Sequence, residues 1–415
     1  MAGVSPIRAL HYDLGRVGSL ADVVAPPYDV IDDEQRVELA ARNPHNVVEL
    51  DLPRDPDGGD PYEHAARLLD RWIEEGALKL DPEPAIWALE QDYTAPDGAR
   101  LTRHGFLARV RLAPFGEGIR PHERTQPGPK EDRLRLTRAT RHNLSPIFAL
   151  HPGDAWRRLE PALGGDPWGE VTDADGTTHR VWRVGDPAVH EAVAAELEPG
   201  ELLIADGHHR YETALAYQRE IGGEGPHDHV LMALVSLEDP GLTVFPTHRL
   251  ISSLADDPAK QEALGSGLKE LFLVEEVPTG ELDPGGEEGV GVFGYLDFRR
   301  GFRLRLRDAG LIDEVLEGRS DAYRSLDAVI LEELVLKRIL GMSPEDIAAQ
   351  RGIGYTPRID EAVEKLDAGY QAAFLLRPTP IDQVRAVASA GETMPPKSTY
   401  FFPKLLTGIV FNPLA

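Results

Sequence analysis

The sequence predicts a mixed α/β protein, and three observations lead there. Segments of helical periodicity alternate along the chain with short apolar runs of strand length. Over 415 residues, 41% are hydrophobic and 27% charged, as in a globular protein. No internal repeat or low-complexity tract interrupts the pattern. The length suits two or three ordinary domains, or one elaborated α/β unit. The longest apolar runs, such as residues 373–376, are far too short to span a bilayer, and residues 1–10 hold no apolar segment of signal-peptide length. A cytoplasmic protein with no membrane partner is therefore expected.

Three regions follow in order. In residues 1–115, the apolar run 21–25 reads as a short strand broken by Pro26-Pro27. Asp32 or Asp33 then caps a helix that runs to Ala41 and stops before Asn43-Pro44. Ala65, Leu68, Leu69, Trp72 and Ile73 recur at helical spacing, which predicts an amphipathic helix over 63–75 ahead of strands at 85–91 and 105–112. Region 116–255 opens on a stretch rich in Gly, Pro, Arg and Lys. It continues through a strand at 147–150, a hairpin ending at 182–184, a helix over 187–197 and a buried strand at 201–205. That strand enters the turn Asp206-Gly207-His208-His209-Arg210, from which a helix runs to Glu220 and ends near Gly222-Gly223. Residues 222–229 read as a solvent loop and 231–237 as a strand. Region 256–415 holds a helix at 264–272, strands at 290–295 and 302–306, and a long helix over 325–340. Its last part, 391–404, is dense in polar and aromatic residues.

Composition narrows the chemistry. With no cysteine, the chain has no thiolate nucleophile, disulfide or Cys-based zinc site. Its 44 Lys and Arg against 70 Asp and Glu give a formal charge of −26, a field that repels nucleic-acid phosphates, so no nucleic-acid partner is expected. A compact phosphorylated metabolite can still bind where arginine, lysine and backbone N–H groups reverse that field locally. The 206–210 turn gathers such groups: a carboxylate, a glycine for close backbone approach, two imidazoles, a guanidinium and the first N–H groups of a helix. The bland alternative is Asp206 as a plain N-cap beside two surface histidines. His227 and His229 with His208 or His209 suggest a zinc cluster only weakly, since their segment reads as loop.

The run Ile204-Ala205-Asp206-Gly207-His208-His209-Arg210-Tyr211-Glu212-Thr213-Ala214 resembles the DUF1015 family of uncharacterised bacterial and archaeal proteins. So do Val24-Ala25-Pro26-Pro27-Tyr28-Asp29-Val30-Ile31, Pro129-Lys130-Glu131-Asp132-Arg133 and Met394-Pro395-Pro396-Lys397-Ser398-Thr399-Tyr400. The central turn also resembles the nucleotide-binding turn of the ParB/sulfiredoxin-like fold. The resemblance implies a ParB-like nucleotide-binding core with N- and C-terminal α/β elaborations. Sulfiredoxins depend on a cysteine, and ParB-type partition proteins carry basic DNA-binding helices; neither fits this composition. The branch that remains is the free serine kinases, which phosphorylate L-serine using ADP or ATP.

This resemblance implies a small-molecule kinase acting on free serine or phosphoserine, with ATP or ADP and Mg²⁺ as cofactors. Donor phosphates would lie against Gly207, His208, His209 and Arg210, with Lys130 and Arg133 as further clamps. Glu123 is the candidate base, its alternative being a solvated loop acid. Asp206 would orient His208 or meet a metal through water. Tyr28, Asp29, Lys397, Ser398 and Thr399 are candidates for holding the amino acid, although the Tyr28 segment also reads as a rigid packing loop. Thr247-His248-Arg249 sits at a strand end, where a lone histidine is more often structural. Two other functions share the pocket: a non-catalytic nucleotide- or phosphometabolite-binding regulator, and a phosphoserine phosphatase.

Overall fold

The computed structural model describes residues 3–95, 98–125, 127–255, 257–297 and 300–415. The chain forms two compact units, each assembled from separated stretches. The first comprises Met1–Pro121, Gln126–Thr243 and Pro403–Ala415; the second comprises His122–Thr125 and Val244–Phe402.

In the first unit, the described residues build a nine-stranded sheet. Its order is Ile119–Arg120, Leu202–Asp206, Ile147–His151, His229–Ser236, Arg100–Arg111, Ile86–Thr94, Thr178–Val184 and Gly169–Thr172, with Val4–Ser5 pairing off the Arg100–Arg111 strand. Two pairings are parallel, Leu202–Asp206 with Ile119–Arg120 and His229–Ser236 with Ile147–His151; the others are antiparallel. The sheet is therefore mixed, within the α/β fold expected from the sequence. Alternation along the strands sends Ile86, Ala88, Phe106, Ala108, Ile147, Ala149, Ile204, Met232 and Leu234 into one core with Val193, Leu197, Tyr211 and Leu215 from helices Pro187–Leu197 and His208–Ile221.

Local chemistry accounts for the flanking helices. Asp32 and Gln35 form a reciprocal capping box at the start of Asp33–Arg42. Asp60 caps Pro61–Glu74, whose Trp72 is buried. The apolar run 21–25 is not the strand its composition suggests. Ser19 accepts from the Ala21 N–H and caps the short helix Leu20–Val23, leaving only Ala25 in a bridge to Thr407. The basic Gly/Pro-rich stretch holds a full helix, Pro127–Thr140. Residues 222–229 are more ordered than a solvent loop: Pro226–Asp228 makes a 3₁₀ turn, His227 is buried, and Asp228 accepts from the Gln218 side chain and the Gly225 N–H.

The second unit is built on a six-stranded antiparallel sheet, ordered Phe272–Val277, Arg300–Leu306, Val292–Asp297, Ala372–Leu375, His248–Ile251 and Ile353–Thr356. Leu250, Ala373 and Leu296 pack from one face with Ala362. On the other face Phe302, Tyr295, Phe374, Arg249 and Tyr355 stand opposite one another, strand by strand. The long helix expected over 325–340 begins as Asp327–Ile330 and continues as a π-helix over Leu331–Ile339, with the Leu340 N–H bonded to the Val335 carbonyl at 2.9 Å. π-Helical turns are rare and occur often at functional sites.

His248 behaves as a structural histidine. It is fully buried, and its Nδ1 accepts the Leu376 backbone N–H at 3.1 Å, which requires the neutral ring at that nitrogen. Burial and the neighbouring Arg249 pull its pKa down from 6.5 to about 4. Below about pH 6.5 the unfolded chain takes up a proton that the folded chain refuses, so this contribution to stability is intact above that pH and is lost as pH falls toward 4, by roughly 3 kcal/mol at most. In denaturant titrations across this window, His248→Gln is expected to show a shallower loss than the parent.

Candidate functional site

In the first unit, the site is built where the Leu202–Asp206 strand turns into the His208–Ile221 helix. The strand's register against Ile147–His151 shifts between Ile204 and Asp206, a bulge that re-aims the carboxylate. Gly207 caps the helix at φ 96°, in the left-handed region. A Cβ there would meet the Arg210 guanidinium at 3.0–3.1 Å. Glycine therefore satisfies both the turn and the close arginine. Asp206 ends the strand and is not the N-cap; the helix has no side-chain cap.

Two cations converge on Asp206, with Lys404 Nζ at 3.4 Å and Arg210 Nη2 at 3.8 Å from its Oδ2. Arg210 also donates to the Pro146 carbonyl. His208 is buried and His209 partly exposed. Tyr211 anchors the first turn, its hydroxyl donating to the Ala113 carbonyl at 2.7 Å and accepting from the Ala113 N–H at 3.1 Å.

Lys404 is held by a polar row on the sheet. His179, Gln91 and Arg103 stand opposite one another on three adjacent strands, and all are buried. Gln91 Oε1 accepts from Arg103 Nε at 3.0 Å and Nη2 at 2.5 Å, while Gln91 Nε2 donates to the Lys404 carbonyl at 3.1 Å. Arg103 also donates to the Pro403 carbonyl at 2.5 Å. Gln91 Nε2 lies 3.1 Å from His179 Nδ1, and His179 Nε2 lies 2.9 Å from Asp173; Nδ1 accepting and Nε2–H donating satisfies both contacts. The backbone at 403–404 is thus fixed from below, which aims Lys404 at Asp206.

The other sequence candidates in this unit sit nearby but are engaged differently. Lys130 pairs with Glu212 at 2.7 Å. Arg133 is buried, bonded to Asp51 Oδ1 at 3.0 Å and Asp132 Oδ2 at 2.6 Å, and its guanidinium covers the Tyr28 ring at 4.2 Å. Burial, and secondarily Asp29, pushes the Tyr28 hydroxyl up to about 12. Asp29 itself is exposed in the 3₁₀ turn Tyr28–Val30. Tyr28 and Arg133 line a cavity of about 240 Å³ together with Arg36, Arg54, Tyr62 and Asp132. Asp51, which sequence reasoning missed, is a buried carboxylate whose pKa is raised by burial against the opposing pull of Arg133 and Arg210.

The remaining candidates belong to the second unit. Glu123 bridges in parallel to Met394, reinforced by the Met394 N–H to the His122 carbonyl at 2.7 Å. His122 Nε2 is 2.8 Å from the Thr399 hydroxyl. Ser398 is buried and donates to the Pro395 carbonyl at 2.7 Å, so its hydroxyl closes a turn. Lys397 adopts φ 59°, unusual for a side-chain-bearing residue. Glu123 and Lys397 both act on the Tyr355 phenol, as do Arg249 and Glu332. Among the described residues no group of three or more histidines and carboxylates is placed to hold a metal ion.

Fold and site together describe an α/β protein with a glycine-led helix start flanked by cations. The chain belongs to the DUF1015 family of proteins of unknown function, whose family model matches residues 4–329. No curated protein matches it. Similar solved structures include a variant of a free serine kinase in complex with ADP, 12% identical, covering 71% of this chain and 87% of that one at a TM-score of 0.38. They also include a conserved hypothetical protein from Pyrococcus furiosus, 13% identical, covering 72% and 92% at 0.37. C-terminally truncated SbnI from Staphylococcus aureus is 12% identical and covers 72% and 85% at 0.37.

The polar row predicts the effect of removing its centre. Gln91→Leu leaves a buried guanidinium short of acceptors and should destabilise the protein by about 3 kcal/mol in urea titrations.

Proposed function

We propose that the protein is a nucleotide-dependent small-molecule phosphotransferase, a kinase of a free amino acid with L-serine the first candidate. The observation that carries this reading is the uncapped helix start at Gly207 with Arg210 and Lys404 beside it. The first-turn N–H groups of a helix without a side-chain cap, the positive end of its dipole and two cations favour an oxyanion there. The missing Cβ lets the Arg210 guanidinium lie against the turn, where it would meet a phosphate held at the helix start. Gly207, His208, His209, Arg210 and Lys404 would hold the phosphates of ATP or ADP. The nucleotide would supply the phosphoryl group and carry Mg²⁺ bound to its phosphates.

In this reading Asp206 keeps Lys404 and Arg210 in place while no phosphate is bound. Lys130 and Arg133, committed to carboxylates, brace the helices behind the turn. Glu123 is the proposed general base that takes the acceptor's hydroxyl proton. Tyr28, Asp29, Lys397 and Thr399 remain proposed substrate contacts.

Purified protein should convert serine to phosphoserine with ATP or ADP and Mg²⁺, as followed by product formation and by free phosphate. Glu123→Gln should abolish turnover while leaving ADP affinity unchanged, and Lys404→Met should weaken ADP roughly tenfold by calorimetry. Nucleotide binding without turnover across a panel of amino acids would instead identify a binding protein. Phosphate release from phosphoserine without nucleotide would identify a phosphatase.

A further inference from the structure

Arg249 poses a problem of charge inside the second unit. Its side chain is buried, 3% exposed, in the row between Tyr355 and Phe374. The guanidinium donates to the Thr247 carbonyl and lies 5.3 Å from the centre of the Tyr355 ring. Among the described residues, no carboxylate forms an ion pair with it. The acids that act on it, Glu332 and Glu123, do so at longer range. Glu332 is already balanced by Lys337 at 2.9 Å and Arg124 at 3.4 Å. A buried charge left this way is costly unless something else completes it.

A second observation points the same way. Thr247, two residues before Arg249, has a buried hydroxyl with no hydrogen-bond partner among the described residues. Buried polar groups without partners are rare enough to need an explanation, and an absent ligand is one. The π-helix that carries Glu332 adds an irregular backbone at the same cluster.

We infer that Arg249 and Thr247 form a binding site for a small-molecule carboxylate, the α-carboxylate of an amino acid. A guanidinium offers a carboxylate two parallel N–H donors, and flat aromatic neighbours suit a planar group. Naming that amino acid as the phosphoryl acceptor rests on the phosphotransfer reading; the carboxylate site itself does not.

The test is calorimetry on the full chain without nucleotide, using L-serine, L-alanine, L-threonine, L-serine methyl ester and inorganic phosphate, followed by ADP on the same samples. The parent should bind at least one of the amino acids and not the ester. Arg249→Lys, which keeps the charge but loses the fork, should weaken that amino acid about tenfold or more, and Thr247→Val severalfold, with ADP affinity unchanged. These two variants keep the site's charge or shape should Arg249→Met fail to fold. The site is rejected if no amino acid binds, if the ester binds as well as the acid, or if Arg249→Lys and Thr247→Val bind like the parent. Phosphate competing through Arg249 in place of the amino acid rejects the carboxylate assignment. Amino-acid binding with no response to ADP would reject the phosphotransferase and leave the carboxylate site standing.

Discussion

A buried guanidinium must find acceptors, and the way each one finds them organises both units. Arg36, Arg103, Arg133, Arg249 and Arg303 are all buried. Arg133 is met by two carboxylates, and Arg36 by Glu49 and the Leu52 carbonyl. Arg303 donates to the Leu282 and Asp283 carbonyls. Arg103 is met by a neutral amide and the Pro403 carbonyl, and burial lowers its pKa to about 10. Each of these arrangements ties together segments distant in sequence, because an arginine with several donors is satisfied only when several chain segments converge. Arg249 stands apart in having one carbonyl and aromatic neighbours.

The same accounting separates structural from functional charge in the basic stretch. On the Pro127–Thr140 helix, Lys130 meets Glu212, Arg133 meets Asp51 and Asp132, Arg135 meets Asp60 and Arg138 meets Glu220. What looks in sequence like a basic patch is locally neutralised by the acids around it. Lys404 and Arg210 differ because they converge on Asp206 at 3.4 and 3.8 Å, beside a helix start that adds positive potential.

Much of the fold was legible because its signals are local. The Asp32 capping box, the stripe through Trp72, and Pro187 opening Pro187–Leu197 each act within a few residues. The Pro127–Thr140 helix was hidden by its own composition. Prolines in a first turn remove only N–H groups that lack helical partners, so Pro-Gly-Pro can open a helix as well as a loop, while buried Leu134 and Leu136 have the spacing of a strand. The 206–210 turn was readable as a candidate site because its groups are contiguous. Asp51, Lys404 and Arg249 were not, because each acquires its meaning from partners brought in by tertiary structure. Lys404 depends on Gln91, and Arg249 on Tyr355 and Glu332. Neither unit is contiguous in sequence, so borders drawn from composition along the chain cannot correspond to either.

If a chain with a formal charge of −26 is to bind an anion, as proposed above, there must be a reason why long-range repulsion does not prevail. Repulsion between exposed charges is screened over about 10 Å at ordinary ionic strength, whereas contacts inside a partly buried turn are screened far less. A small oxyanion at Gly207 would meet fixed N–H groups, Arg210 and Lys404 at short range, and the distant acids only weakly. A polyanion would extend well beyond those few donors into the acidic surroundings. On that proposal the surplus of acid would act as a filter on size, favouring compact phosphates and carboxylates over nucleic acid, while the local donors would supply the attraction.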